Sequence, residues 1–195
     1  MEITDLDHDL WKCIDRPPYK NQSRDAQRCI ERGANVNCQR PMDIYGDDLS
    51  KLETPLLVAI CRCAPKLVKR LIELGADSSA EIDAFGERTL LHIAALHDRA
   101  ETVGILIKAG VSMEKKDTIF GWTALHLAVF KCHRHHLTVR MLLMNGANVN
   151  AMDNSGRKPL DIALEYEGRF SPQLKEILSG GEELSDKTVT PLPPC

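Results

Sequence analysis

T123-A-L-H-L-A128 is one of four versions of a single phrase in this chain. T54-P-L-L-V-A59, T89-L-L-H-I-A94 and K158-P-L-D-I-A163 align with it, and the starts of the four are separated by 35, 34 and 35 residues. A second phrase recurs out of phase with the first: R32-G-A-N-V-N37, L74-G-A-D77, A109-G-V-S112 and N145-G-A-N-V-N150. Two independent markers that keep one period describe a tandem array of supersecondary units.

Each unit reads as a helix pair. Thr54, Thr89 and Thr123 stand where a hydroxyl can cap the free N–H groups of a helix start. Leu56, Ala59 and Ile60, like Leu91, Ala94 and Ala95, fall on one narrow apolar face at helical spacing. The small Ala at the sixth position of the phrase lets neighbouring helices approach closely. A second helix follows, apolar at Leu67, Val68, Leu71 and Ile72 in one repeat and at Val103, Leu106 and Ile107 in the next. Pro65 suits the first turn of such a helix, where a missing N–H costs little. Gly75, Gly110 and Gly146 then supply left-handed C-terminal caps. Extended stretches with hairpin tips follow at D83-A-F-G86, D117-T-I-F-G121 and D153-N-S-G156.

The T-x-L-H-x-A phrase and its period resemble the ankyrin repeat family. The resemblance covers residues from about 4 to 180. It implies an all-α solenoid of about five helix-turn-helix repeats with short β-hairpin tips. The repeats fall near 4–37, 54–83, 89–117 and 123–153, with a capping unit over 158–178. The ends depart from the pattern, as terminal repeats do: residues 4–37 lack the Thr-Pro-Leu-His start, Pro17-Pro18 interrupts the link between the helices, and Ser171-Pro172 starts the last helix. Beyond Gly180-Gly181 the segment EELSDKTVTPLPPC is polar and Pro-rich and reads as a disordered tail over 181–195.

Composition narrows the class of function. The chain has 195 residues, 43% of them hydrophobic and 27% charged, enough to bury a core without staples. Twenty-five Lys and Arg against 28 Asp and Glu give a formal charge of −3, so there is no broad basic field for nucleic acid or an anionic membrane. The longest apolar run, Leu56 to Cys61, is six residues, against roughly 20 for a membrane span. Seven cysteines at irregular spacing, with no apolar signal segment, point to reduced thiols in the cytoplasm or nucleus.

Two departures from the pattern lie in connections. From the cap glycine to the next start the chain takes 21, 14, 13 and 12 residues, so the first connection carries an insertion, 39–50, with Ile44 and Tyr45 at its tip. It reads either as a surface loop or as part of a binding face. The fourth repeat is longer by two between its helices, in F130-K-C-H-R-H-H136. Cys132, His133, His135 and His136 fall short of the four spaced ligands of a closed zinc site, so no metal is expected. Cys61 and Cys63 form C-x-C at the corresponding turn, and Cys63 and Cys132 stand where the family has a turn glycine. No phosphate-cradling glycine motif is present. His92 and His126 are expected to hydrogen-bond neighbouring turns, and no catalytic set or cofactor site emerges.

The resemblance implies a non-catalytic module, an adaptor, scaffold or inhibitor, that binds another protein through its concave face and hairpin tips. At the tips the candidates are Phe85, Arg88, Ile119, Phe120, Trp122 and Arg157. On the concave helix face they are Arg62, Leu96, His97, Phe130 and Lys131. Aromatic and Arg side chains are the usual hot spots of interfaces. Trp122 reads equally as an anchor or as a staple of its own hairpin. The four basic residues Arg62, Arg88, Lys131 and Arg157 suggest a basic rim facing an acidic or mixed partner segment, met by a monomer. Two narrower readings stay open. One is a transcription-factor inhibitor resembling the IκB group, although no D-S-G-x-x-S signal is present. The other is a substrate receptor of a ubiquitin ligase, on the faint likeness of Leu192-Pro193-Pro194 to the end of a SOCS box.

Overall fold

Thr54 and Thr89 have extended backbone, at φ −107° and −73°, and each hydroxyl accepts the N–H of the third residue on, from Leu57 at 3.3 Å and from His92 at 3.4 Å. The helix starts are set there, as the recurring Thr predicts. The computed structural model describes residues 4–17, 21–41, 52–82, 86–131, 136–165 and 172–179. Among them five helix pairs follow one another. They are α1 (Asp5–Asp15) with α2 (Gln22–Glu31), α3 (Pro55–Cys61) with α4 (Pro65–Glu73), and α5 (Leu90–Leu96) with α6 (Ala100–Lys108). Next come α7 (Ala124–Lys131) with α8 (Leu137–Met144), and α9 (Pro159–Glu165) with α10 (Pro172–Ser179).

The first helices of the pairs stack α1 on α3 on α5 on α7 on α9, and the second helices stack α2 on α4 on α6 on α8. Two layers of parallel-running helices result, an α-solenoid. Its core is one continuous cluster running from Leu10 and Ile14 to Leu174 and Leu178. Ala59, Ala94, Ala95 and Ala163 are wholly buried between first helices, which is why the phrase keeps a small residue there. Leu56, Leu91 and Leu125 each contribute roughly 1.5–3 kcal/mol by leaving water.

The second helices end as the glycines dictate. Gly75, at φ 93°, carries the chain into the left-handed region, and the N–H of Ala76 returns to the carbonyl of Leu71 at 2.9 Å. Val111 on Leu106 and Ala147 on Leu142 repeat the bond at 3.1 Å. Cys63 also lies in the left-handed region, at φ 56°, at the turn position read for it. In the fourth repeat the left-handed residue is His136, at φ 52°, directly before α8. Cys132 to His135 lie outside the described residues.

Among the described residues sheet is confined to hairpins. β1 (Arg40–Pro41) pairs antiparallel with β2 (Leu52–Glu53), and β3 (Glu81–Ile82) with β4 (Arg88–Thr89). The next two fingers close with single bonds, Asp117 N–H to the Trp122 carbonyl at 2.8 Å and Asp153 N–H to the Arg157 carbonyl at 2.9 Å. The insertion leaves the array between β1 and β2, and its tip with Ile44 and Tyr45 lies outside the described residues, as do Phe85 and the segment 180–195. No described helix is long and apolar enough to cross a membrane.

Candidate functional site

Fingers three and four are each organised by their first residue, an aspartate. One oxygen of Asp117 accepts the N–H groups of Phe120 at 2.9 Å and Trp122 at 3.2 Å. In the next finger, one oxygen of Asp153 accepts those of Ser155 at 2.8 Å and Arg157 at 2.9 Å. The second oxygen receives the side chain that precedes Thr in the repeat before. Asp117 Oδ2 accepts from Arg88 Nε at 3.0 Å, and Asp153 Oδ2 from Trp122 Nε1 at 3.1 Å. One position per repeat therefore reaches forward to the next finger, filled by Arg in one case and Trp in the other. Burial pushes the Asp153 carboxyl up, but the N–H groups of Arg157 and Ser155, the Trp122 indole and the Arg157 guanidinium outweigh it and hold it at about 2.

A second ladder runs behind the first. The N–H of Thr89 donates to His92 Nδ1 at 3.1 Å, which leaves the proton on Nε2, and Nε2–H donates to the Trp122 carbonyl at 3.0 Å. His126 repeats this from Thr123 at 3.2 Å to the Arg157 carbonyl at 3.2 Å. Burial is the chief cause that holds both imidazoles below the usual histidine range and therefore neutral. These are the neighbour-turn bonds expected of the T-x-L-H histidines.

On this scaffold Ile119 and Phe120 project outward, 53% and 47% exposed. Their backbone is pinned on both sides. Thr118 N–H donates to the Gly86 carbonyl at 2.9 Å, and the Phe120 carbonyl accepts from Asn154 N–H at 2.9 Å. Ile119 lies over Gly86 so closely that a Cβ there would overlap its side chain. The Phe120 ring stands 5.0 Å from that of Trp122, and Trp122 stands 5.2 Å from Phe130 on α7. Lys131 Nζ lies 5.9 Å from the centre of the Phe130 ring. A file of aromatic rings thus runs from a finger tip to the end of an inner helix. Trp122, buried at 7% exposure, is its middle member and supports Phe120 rather than projecting itself.

Arg62, His97 and Lys131 each stand eight residues after the phrase-initial Thr of their repeat, at the C-terminal ends of α3, α5 and α7. Leu96 and Phe130 precede two of them, partly buried against the core. Burial, with Arg99 and Lys131 nearby, holds His97 below the usual histidine range.

Three of the four members of the basic rim expected from the sequence are ion-paired within the chain. Arg88 bonds Asp117 with both groups nearly out of solvent. Arg157 holds Asp153 at 2.9 Å and Glu165 at 2.8 Å. Arg62 reaches the carbonyl and the carboxylate of Asp15. These guanidiniums knit the fingers and the first repeat together. The signal was present in Asp117 and Asp153, one at the head of each finger. Met152 is 51% exposed on the neighbouring finger, and a lone Met in a loop carries no pattern in the sequence. Among the described residues no group of three or more His, Cys, Asp or Glu is placed to hold a metal ion.

A family model described as ankyrin repeats (3 copies) matches residues 19–117 and again 91–187. The chain is 35% identical over 111 residues to an ankyrin repeat protein of fowlpox virus (strain NVSL), covering 57% of this chain and 32% of that protein. It is 34% identical over 132 residues to human B-cell lymphoma 3 protein, covering 65% and 27%. With the inhibitor of Bruton tyrosine kinase of Mus musculus it shares 37% over 83 residues, 43% of this chain and 6% of the relative. The chain therefore spans about a third or less of the length of these relatives. Matched by that model from 19 to 187, and folded as stacked helix pairs, the chain belongs to the ankyrin repeat family.

Proposed function

We propose that the chain is a non-catalytic, monomeric binding module whose contact surface is centred on Ile119 and Phe120. Repeats of this family make a protein-interaction module, and the finer reading rests on one observation. Two large apolar side chains stand side by side in solvent on a backbone fixed from both neighbouring fingers. A rigid apolar projection loses little entropy on binding, which is what concentrates affinity. From that tip the contact continues along the inner-helix row Leu96, His97, Phe130 and Lys131 and the neighbouring finger residue Met152. Phe85 extends the same tip region by sequence. Arg88 and Arg157 take part as struts at fingers three and four, and Arg62 as the strut that ties its repeat to the first. The module acts as adaptor, scaffold or inhibitor in the cytoplasm or nucleus. The inhibitor reading is favoured by likeness to a protein named as an inhibitor of a tyrosine kinase.

Three variants measured in parallel test the assignment, by partner affinity after proximity labelling has supplied a partner and by urea midpoint. Phe120→Ala is expected to weaken the complex by about 2 kcal/mol or more with little change in midpoint. Leu125→Ala, wholly in the core, should cost roughly 2–5 kcal/mol of stability. Trp122→Ala should do both, because it removes the ring under Phe120 and the bond to Asp153. Unchanged affinity in Phe120→Ala refutes the surface.

A further inference from the structure

Of the five described cysteines, Cys13 and Cys29 have their sulfurs in contact at 4.0 Å, one on α1 and the other on the antiparallel helix α2. A disulfide needs about 2.05 Å between sulfurs, so the two must close by about 2 Å. We propose that Cys13 and Cys29 are a redox-modification site, forming a reversible disulfide that staples α1 to α2 in the first repeat. The co-reactant is a low-molecular-weight disulfide, RSSR. The Cys13 thiolate, the more accessible of the two, attacks one sulfur of RSSR and expels RS⁻. The Cys29 thiolate then attacks Cys13 Sγ in the mixed disulfide, forming the Sγ–Sγ bond and expelling a second RS⁻. The two cysteine protons pass to solvent, and the electron pair the protein loses ends on the two RS⁻ released.

The environment makes this a slow, equilibrium response rather than a trap for peroxide. Burial, with Cys29 beside it, pushes the Cys13 thiol up to about 11, so little thiolate exists at neutral pH. The cross-link would matter because, among the described helices, α1 packs mainly against α2 and α3, and an element with few packed neighbours opens readily. Asp15 at the end of α1 also anchors Arg40 at 2.5 Å and Arg62, so stiffening α1 steadies both struts.

The full chain is equilibrated in glutathione/glutathione disulfide buffers of graded ratio, quenched with an alkylating agent and mapped by mass spectrometry, with melting followed alongside. The expected result is a Cys13–Cys29 cross-link that returns to thiols in excess glutathione, with a rise in melting midpoint and slower amide exchange in α1. Cys13→Ser and Cys29→Ser should each abolish the cross-link and the rise, whereas Cys61→Ser and Cys63→Ser should leave both. If Cys13 and Cys29 stay separately alkylated in glutathione disulfide, or pair with other cysteines, the proposal fails. A cross-link that lowers the midpoint also overturns it, since the helices would then have to be forced together. Should a Ser variant fold poorly, the wild-type map alone decides the pairing.

Discussion

Cys63 sits at φ 56° and Asp98 at φ 52°, both ahead of a second helix in the left-handed region, where a Cβ crowds the following carbonyl. Glycine would relieve that crowding at either place, yet the two substitutions should differ in sign. Cys63 stands at a turn with no side-chain bond that glycine would remove, so Cys63→Gly should raise stability by about 0.5 kcal/mol after the extra freedom of the unfolded chain is counted. Asp98 accepts the Thr138 hydroxyl at 2.6 Å and thereby ties one turn to the next outer helix. Asp98→Gly would leave that buried hydroxyl without its acceptor, at a cost of about 1–3 kcal/mol, and should lower stability. Urea midpoints of the two variants settle the comparison, and a gain in both would mean that the Asp98–Thr138 bond contributes nothing. A third residue-scale expectation concerns Gly86. Gly86→Ala must displace Ile119, so it should perturb the finger tip, read as increased exchange of the Thr118 amide, while the core of α5 is unaffected.

At the scale of elements, the finger and inner helix of one repeat are bonded to the finger of the next by groups that titrate. His92 and His126 are neutral in the fold and have pKa values below the ordinary 6.5, chiefly through burial. The unfolded chain binds protons near 6.5 that the folded chain refuses. Stability is therefore complete above that value and falls as pH drops through it toward the folded values. Asp153 acts lower, its contribution being complete above about 3.9 and lost as pH falls toward its folded value of about 2. Thermal midpoints between pH 7.5 and 2.5 should thus descend in two steps. In His92→Gln/His126→Gln the upper step should shrink to the share of His97, whose pKa is also lowered, while the lower step stays. An upper step of full size in that variant would refute the ladder. This level is also where reading from sequence reached its limit. Thr caps, Pro65 at a helix start and glycine caps are local chemistry within one or two turns, legible in the sequence alone. Arg88 finds Asp117 only because the next finger lies beside it, 29 residues on. A chain read repeat by repeat leaves that arginine free, and it then reads as part of a basic rim. Trp122 is the same case, ambiguous until Asp153 and Phe130 are seen on either side of it.

At the scale of the molecule, the described helix pairs make their main contacts with the pair before and the pair after, so stability is a sum along one dimension and damage should spread by distance along the stack. Leu91 and Leu174 are both wholly buried, and truncating either to Ala removes a core contact worth roughly 2–5 kcal/mol. Leu91 is in α5, which packs on α3, α6 and α7, whereas Leu174 is in α10, whose main neighbour is α9. Leu174→Ala should therefore release α9 and α10 and leave exchange in α3 through α7 nearly as it was. Leu91→Ala should accelerate exchange from α3 to α8, because loosening a middle pair costs both interfaces and exposes two new ends. The terminal variant should keep the Ile119–Phe120 surface and its affinity, since the fingers that pin that tip, at Gly86 and Asn154, both lie outside α9 and α10. The middle variant should lose that affinity with the fold. Hydrogen exchange followed peptide by peptide gives the decision. If Leu174→Ala speeds exchange uniformly over the array, the ten helices unfold as one unit, and a binding surface in the middle repeats could not be insulated from the ends.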